Sequence, residues 1–428
     1  MGFLSLPGRP AALWLAAPLT ALNCWYVYTF AHGTANSYGG FTTHVTGYTV
    51  FATSAACAAL AAWEAGRLRE ARIWSVAPVR GRGAIAGSAL LPVAALAVVA
   101  TLLACVTAAF VVGAAPRLAD LPTFGMLFFV VAAHMVLGFA VGSVLPRTIA
   151  CPLVLVGVFG WMSVPATMET MWVRHLNGLL VDSASVTDDI APSALIAPVL
   201  LAGGAALAVL VLCSPLRRRS LRAVLGVCCA VSGAVPAYAL VADADTRVPT
   251  VPRTEAAASV CDTTAPRICV PEELRPEVPR LRAALRQVLP HMEAAGIQRP
   301  TSLAYVSDDA SLPAGAWRIA PSRGLSPAEA RTVVALGPLP VRHPCPSLPE
   351  DGGRDGSPLS VWLQLAAGMP DSEVDEMPDQ DALRVARTVR GWSGEKQSAW
   401  FHEATRLLAG CAPDTEGLLG PVASAAGR

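Results

Sequence analysis

Lysine is almost missing from this chain of 428 residues: Lys396 is the only one, against 31 arginines. That scarcity excludes nucleotide hydrolysis through a phosphate-binding loop, where a lysine after a glycine-rich turn reaches the β- and γ-phosphates. Lys396 lies in Gly394-Glu395-Lys396-Gln397, without the glycine spacing and without a following Ser or Thr. Any ATP-driven activity therefore needs a separate ATPase. Catalytic signatures are missing too. There is no GxSxG, no CxxC and no paired histidines, and His402-Glu403 meets Arg406 where a zinc protease helix has its second His. No catalytic residue, cofactor or metal is assigned, and the chain is not read as an enzyme. A net charge of +1 gives no electrostatic footprint for nucleic acid.

Charge of either sign is scarce, at 15% against roughly 25% in soluble domains, and it is unevenly placed. Through Ala242 charged residues make up about 8% of positions with a net +6; from Asp243 onward they make up about 23% with a net −5. A membrane-crossing helix needs about 20 mostly apolar residues. Seven runs qualify, at about 11–30, 44–63, 84–113, 121–145, 150–168, 194–214 and 221–242, with Pro92 a possible kink in the third. The loops on one side hold Arg9, Arg67, Arg69, Arg72, Arg80, Arg82, Arg147, Arg217, Arg218, Arg219 and Arg222; those on the other hold only Arg117 and Arg174. The positive-inside rule then puts the N-terminus in the cytoplasm and, after an odd number of spans, the tail outside. The first run is read as a span rather than a signal peptide, because Trp25, Tyr26 and Tyr28 form an interfacial belt and no small-x-small cleavage site follows. The expected fold is an α-helical polytopic membrane protein of about seven spans in the cell membrane, followed by a small α+β extracytoplasmic domain.

Seven of the eleven cysteines sit in or beside apolar runs, where Cys packs as a small hydrophobe. The other four fall in the tail, an even number that suggests two disulfides outside the cytoplasm. Of the three possible pairings, Cys261–Cys269 with Cys345–Cys411 is favoured; a zinc site is the rival reading. Residues 243–260 read as a Pro/Thr/Ala linker, and 261–428 as the domain. A helix is expected from Pro271-Glu272-Glu273, with Leu274, Val278, Leu281, Leu285, Val288 and Met292 on one face and Pro279 bending or splitting it. Short strands are expected at Ser302–Ser307 and Thr332–Gly337, and helices around 358–369 and 393–411.

Inside the apolar runs, His134 is the one ionisable residue near the middle of a span. Such residues are costly in lipid and therefore functional candidates, but no series of acids accompanies it, which argues against a proton pump. Gly138 and Gly142 form a GxxxG that suits close helix packing.

Two segments carry a family resemblance. Glu64-Ala65-Gly66-Arg67-Leu68-Arg69-Glu70-Ala71-Arg72 is a charged cytoplasmic connection predicted to be helical. Gly138–Arg147 runs through a short turn into Cys151-Pro152-Leu153. Over about residues 10–215 the chain resembles the permease subunits of ABC-2-type exporters, especially Ala/Arg-rich ones of actinobacteria, and its tail resembles C-terminal domains attached to such proteins. The resemblance implies six spans forming half of a homo- or heterodimeric translocation unit in the lipid bilayer. It implies an ATPase-facing helix at Glu64, Arg67, Arg69 and Arg72, and a re-entrant turn within 166–193, with Met168, Met171, Trp172, Leu176, Leu179 and Leu180 as its apolar face. The seventh span and the tail depart from that pattern. The expected function is a permease-like subunit working with a separate ABC ATPase; the alternative is a membrane-anchored extracytoplasmic binding or sensing module.

Overall fold

The computed structural model describes residues 11–32, 38–76, 81–168, 170–180, 186, 188–214, 218–244, 250–252, 259–305, 312–340, 358–374 and 380–409. The chain divides into two compact units, Met1–Val251 and Pro252–Arg428.

The first unit is helical: α1 (Ala11–His32), α2 (Gly39–Gly47), α3 (Val50–Glu70), α4 (Ile73–Val76), α5 (Arg82–Val112), α6 (Leu121–Val144), α7 (Arg147–Ser163), α8 (Met171–Arg174), α9 (Pro192–Leu212) and α10 (Arg219–Val241). Strand β1 (Asp188–Ile190) precedes α9, and β2 (Thr250–Pro252) pairs with it. Each of the seven apolar runs is helical. Five stretches are long and apolar enough to cross a membrane, namely Arg82–Val112, Leu118–Val144, Arg147–Thr167, Pro192–Leu212 and Arg219–Val241. The pair α2–α3, bent by 41°, makes a sixth if it is counted as one span. α1 falls outside this group, because Asn23 and its aromatic residues dilute its leucines and alanines. Outward faces of these helices are apolar: Phe110 is 83% exposed, Val156 69% and Val227 62%. Apolar surface of that extent is untenable in water and suits contact with lipid tails. α5 runs through Pro92 without a break.

Helix α3 corrects the sequence reading. The run 44–63 is not one straight span, because α2 ends at Gly47 and α3 begins at Val50. The charged stretch Glu64–Glu70 forms the last turns of α3 rather than a separate helix, since EAGRLRE is made of good helix formers apart from one glycine. The chain leaves the helix at Arg72, which has φ 49°.

α3 and α6 are the most closely packed pair in this unit. Gly138 lies against Ala58 and Gly142 against Ala62, the same offset of 80 in both, so the two helices run parallel. Lipid offers little hydrophobic drive for helix association, so backbone approach through small residues supplies the packing. α9 and α10 use the same device: a Cβ added at Gly204 would lie 2.8 Å from the Gly233 Cα.

In the second unit, a four-stranded sheet has the order β3-β4-β5-β6, formed by β3 (Ser259–Cys261), β4 (Arg267–Pro271), β5 (Ser302–Ala304) and β6 (Trp317–Arg318). β3 is antiparallel to β4, whereas β5 and β6 add in parallel. Helices α11 (Val278–Ala294), α12 (Pro327–Ala335), α13 (Pro358–Ala366), α14 (Asp371–Val374), α15 (Gln380–Arg390) and α16 (Gly394–Ala409) follow the order of the chain. Leu281, Leu285, Val288 and Met292 of α11 are buried together with Ile268 and Val270, which alternate along β4. α13 is buried on every side, from Leu359 to Leu365.

One expectation in this unit is refined and another is overturned. The helix is split rather than bent: a 3-10 turn occupies Glu272–Glu277, α11 begins at Val278, and Pro279 sits in its first turn, where its missing N–H costs nothing. Thr332–Gly337 is not a strand. Ser326 caps α12, accepting from the Glu329 N–H at 3.2 Å while Glu329 accepts from the Ser326 N–H at 2.7 Å, so the cap overrides the β-branched run Thr332-Val333-Val334. The strands beside the cystine, and α15, escaped the sequence reading.

The cap makes a direct prediction. Hydrogen bonds from the Ser326 hydroxyl and backbone hold the Glu329 carboxyl below its ordinary range. A depressed carboxylate contributes stability above its unfolded pKa and loses it as pH falls through the folded value. Ser326→Ala is expected to lower stability by about 1 kcal/mol at neutral pH, with the difference from the parent shrinking below about pH 4; denaturation followed across pH checks both.

Candidate functional site

Two places in the first unit bring polar side chains together, at opposite ends of the parallel pair α3–α6. The first is the C-terminal end, where the predicted ATPase-facing residues lie. Glu64 is buried, and Arg67 donates to both its oxygens at 3.0 and 2.9 Å. Arg69 donates to the Val144 carbonyl at 2.6 Å. Arg147, the first residue of α7, stands 4.6 Å over the Trp63 ring and 3.2 Å from a Glu70 carboxylate oxygen. Gly66 is required here, since an added Cβ would lie 2.8 Å from the Arg147 Cβ. The end of α3 is therefore stapled to the α6–α7 turn by a cation–π contact, an ion pair and a carbonyl hydrogen bond. The four predicted residues do not form one exposed face: Glu64 and Arg67 are spent on each other, while Arg72 is exposed.

The second place is a cavity of about 410 Å³ at the N-terminal end of α6. Tyr38, Thr43 and His44 from α2 and the residue before it form one side; Arg117 and Asp120 precede α6; Asp188, Asp189 and Ile190 come from β1; Leu195 and Ile196 come from α9. Arg117 donates through its backbone N–H to Asp120 Oδ2 at 2.8 Å. Its guanidinium donates to Asp120 Oδ1 at 2.8 Å and to Asp189 Oδ1 at 2.7 Å. Burial works against the Arg117 charge, but these hydrogen bonds and the two carboxylate charges outweigh it and raise its pKa above the ordinary value. Gly39 allows α2 to start against this network, because a Cβ there would strike the Ala115 carbonyl. Thr42 fixes the same corner by donating to the Ala114 carbonyl at 2.7 Å. Sequence reading noted Arg117 only as a loop charge; its pairing with Asp189, 72 residues away, carries no local signal.

Other candidates resolve as packing. The offset that joins α3 to α6 sets His134 level with Ser54; both are buried. Asn23 donates to Thr53 at 2.9 Å in the same interior. No group of three or more His, Cys, Asp or Glu that could hold a metal occurs among the described residues. Within 166–193, Met168 is exposed and Trp172 stacks edge-on to Tyr238, while Asn177 donates to the Met162 carbonyl at 2.9 Å and turns buried Leu176 and Leu180 inward. In the second unit the Cys261–Cys269 disulfide is formed across the directly opposed pair of β3 and β4. Cys345 and Cys411 lie outside the described residues.

Residues 268–411 match a family described as "Domain of unknown function (DUF7224)". That stretch opens inside β4 and leaves β3, with Cys261, outside the match, although β3 completes the sheet. No curated protein and no solved structure matches the chain.

Proposed function

We propose that the chain is the permease-like subunit of an ATP-driven exporter of the ABC-2 type, acting as a homo- or heterodimer with a separate ATPase. On this reading it spans the cell membrane seven times, with its N-terminus in the cytoplasm and its second unit outside. The observation that carries the reading is the stapled end of α3: a rigid helix end that projects Arg72 at the arginine-rich, cytoplasmic side suits a surface that receives force from another protein. The arginine asymmetry supports the orientation.

The test is co-purification with an ATPase encoded beside this chain. Arg72→Glu is expected to weaken the complex about tenfold, an effect in the range of coupling between close charge pairs, without changing elution of the membrane subunit. An unchanged complex removes the coupling role. Orientation has its own measurement. A membrane-impermeant maleimide should reach Cys261 and Cys269 from outside intact cells after reduction, and labelling confined to lysed cells overturns the seven-span topology.

A second reading, a membrane-anchored extracytoplasmic binding or sensing module, is favoured by one observation: the second unit has its own buried core and disulfide. External labelling together with a chain that captures no ATPase selects it.

A further inference from the structure

We propose that the contact between α3 and α6 holds an ordered water molecule, bound by Ser54 Oγ and His134 Nδ1 inside the apolar interior of the first unit. The inference concerns this interior and does not depend on transport.

Ser54, Ala58 and Ala62 follow one another at helical spacing on one row of α3, and His134, Gly138 and Gly142 form the matching row of α6. At two levels of these rows the backbones touch. A Cβ on Gly138 would meet the Ala58 Cα at 3.0 Å, and one on Gly142 the Ala62 Cα at 2.6 Å. The constant offset sets Ser54 opposite His134 one turn further along. Ser54 is 0% exposed and His134 4%. Packing leaves Ser54 Oγ and His134 Nδ1 without a hydrogen-bond partner, so the two groups share a level and do not bond each other. Helix α1 brings a third group to that level. Asn23, 1% exposed, donates to Thr53, the neighbour of Ser54, and its Oδ1 has no partner either. Unsatisfied polar atoms in an apolar interior are costly, because each gives up water and gains nothing in return. A water both donates and accepts, so it can serve an imidazole nitrogen and a hydroxyl at once. Two to four such partners are what buried waters ordinarily have. Other ligands fit less well. No Asp, Glu, Lys or Arg stands within nine positions of Ser54 or His134 along the chain, which disfavours an ion. Backbone contact only one turn away, about 6 Å along the axis, leaves no room for an organic solute. Cys57, Val131 and Met135, each within a turn of the pair, belong to the buried apolar cluster, so the surroundings of the site are dry.

The experiment is radiolytic hydroxyl-radical footprinting of the full chain in phosphatidylglycerol nanodiscs, read by peptide mass spectrometry. A short X-ray pulse makes radicals from bound water in place, so oxidation of a buried side chain reports a water beside it. Exposed His402 is the wet reference of the same chemistry, and fully buried Met162 is the dry one. The expected result is oxidation of His134 within about threefold of His402, because an ordered water supplies the radical that bulk solvent cannot, with Met162 unmodified. Ser54→Ala is expected to lower His134 oxidation about fivefold, the loss of one of the water's hydrogen bonds, and to leave His402 unchanged. Ser54→Val, which also fills the space, should abolish it. If this larger side chain elutes as misfolded protein, the parent and Ser54→Ala keep the test decisive. His134 oxidised no more than Met162 overturns the proposal, since the imidazole is then dry or bonded directly to Ser54. Equal oxidation of His134 in the parent and in Ser54→Ala also overturns it. So does oxidation of Met162 as fast as His134, because bulk water would then reach the whole interior. No ATPase is present, so a failed exporter reading leaves this result readable.

Discussion

Gly142→Ala is expected to be among the most damaging single-atom additions to this chain, and Gly125→Ala on the same helix is expected to be harmless. A Cβ at position 142 would lie 2.6 Å from the Ala62 Cα and 2.7 Å from its carbonyl carbon; at position 138 it would lie 3.0 and 2.8 Å from the corresponding Ala58 atoms. These neighbours are backbone, so no side-chain rotation relieves the clash; α3 must move away from α6. Overpacking of this kind costs about 1–3 kcal/mol and sometimes more. The upper end is expected here, about 3 kcal/mol, because small-residue contact is the main attraction between these helices in lipid. At Gly125 an added Cβ meets nothing within 4 Å, and alanine gains up to about 1 kcal/mol of helix propensity. Thermal aggregation of the detergent-purified variants distinguishes the two: a fall in midpoint for Gly138→Ala and Gly142→Ala, and none for Gly125→Ala. Equal midpoints for all three would show that α3 and α6 do not pack through these glycines.

The second large effect belongs to the other unit. Trp362 is fully buried in α13, with its ring 5.5 Å from Trp400, edge to face, and 5.8 Å from Phe401. Trp362→Ala removes the central piece of this aromatic cluster and leaves a cavity that α15 and α16 cannot close without losing their own contacts. Such truncations cost about 3–5 kcal/mol, against a total of about 5–15 kcal/mol for a domain. Hydrogen exchange on the full chain is expected to show lost amide protection across α11, α13, α15 and α16. Amides of α3 and α6 should keep theirs, because the two units have separate cores. Retained protection in α13 would mean that the core does not depend on this ring.

The apolar runs and the placement of arginines made the helices of the first unit legible from composition, since hydrocarbon-length segments need no distant partner to be recognised. GxxxG was legible as a packing signal, and the structure supplied its partner, Ala58 and Ala62 of α3. The Cys261–Cys269 link was readable from spacing. Elsewhere local pattern misled. Thr332, Val333 and Val334 carry strand propensity, yet the Ser326–Glu329 cap and the buried side of Ala330 and Val334 make them helical. Glu64–Arg72 looked like an exposed connecting helix, because charge marks exposure in isolation; the i,i+3 pair of Glu64 with Arg67 is local, but the docking of Arg147 on Trp63 is a long-range contact that no short window of residues contains.

The sequence by itself determined a chain of two characters, an apolar helical body through Ala242 and a charged tail with its own core, because hydropathy and charge are sums over neighbours along the chain. Only the tertiary structure decided that α3 and α6 run parallel at a fixed offset and that the end of α3 is stapled to α7. It alone also set Arg117 beside Asp120 and Asp189 at the wall of a cavity. The physical reason is distance along the chain: residues 72 or 80 apart share a register or an ion pair only when two helix ends are brought together, and local pattern carries no record of that meeting.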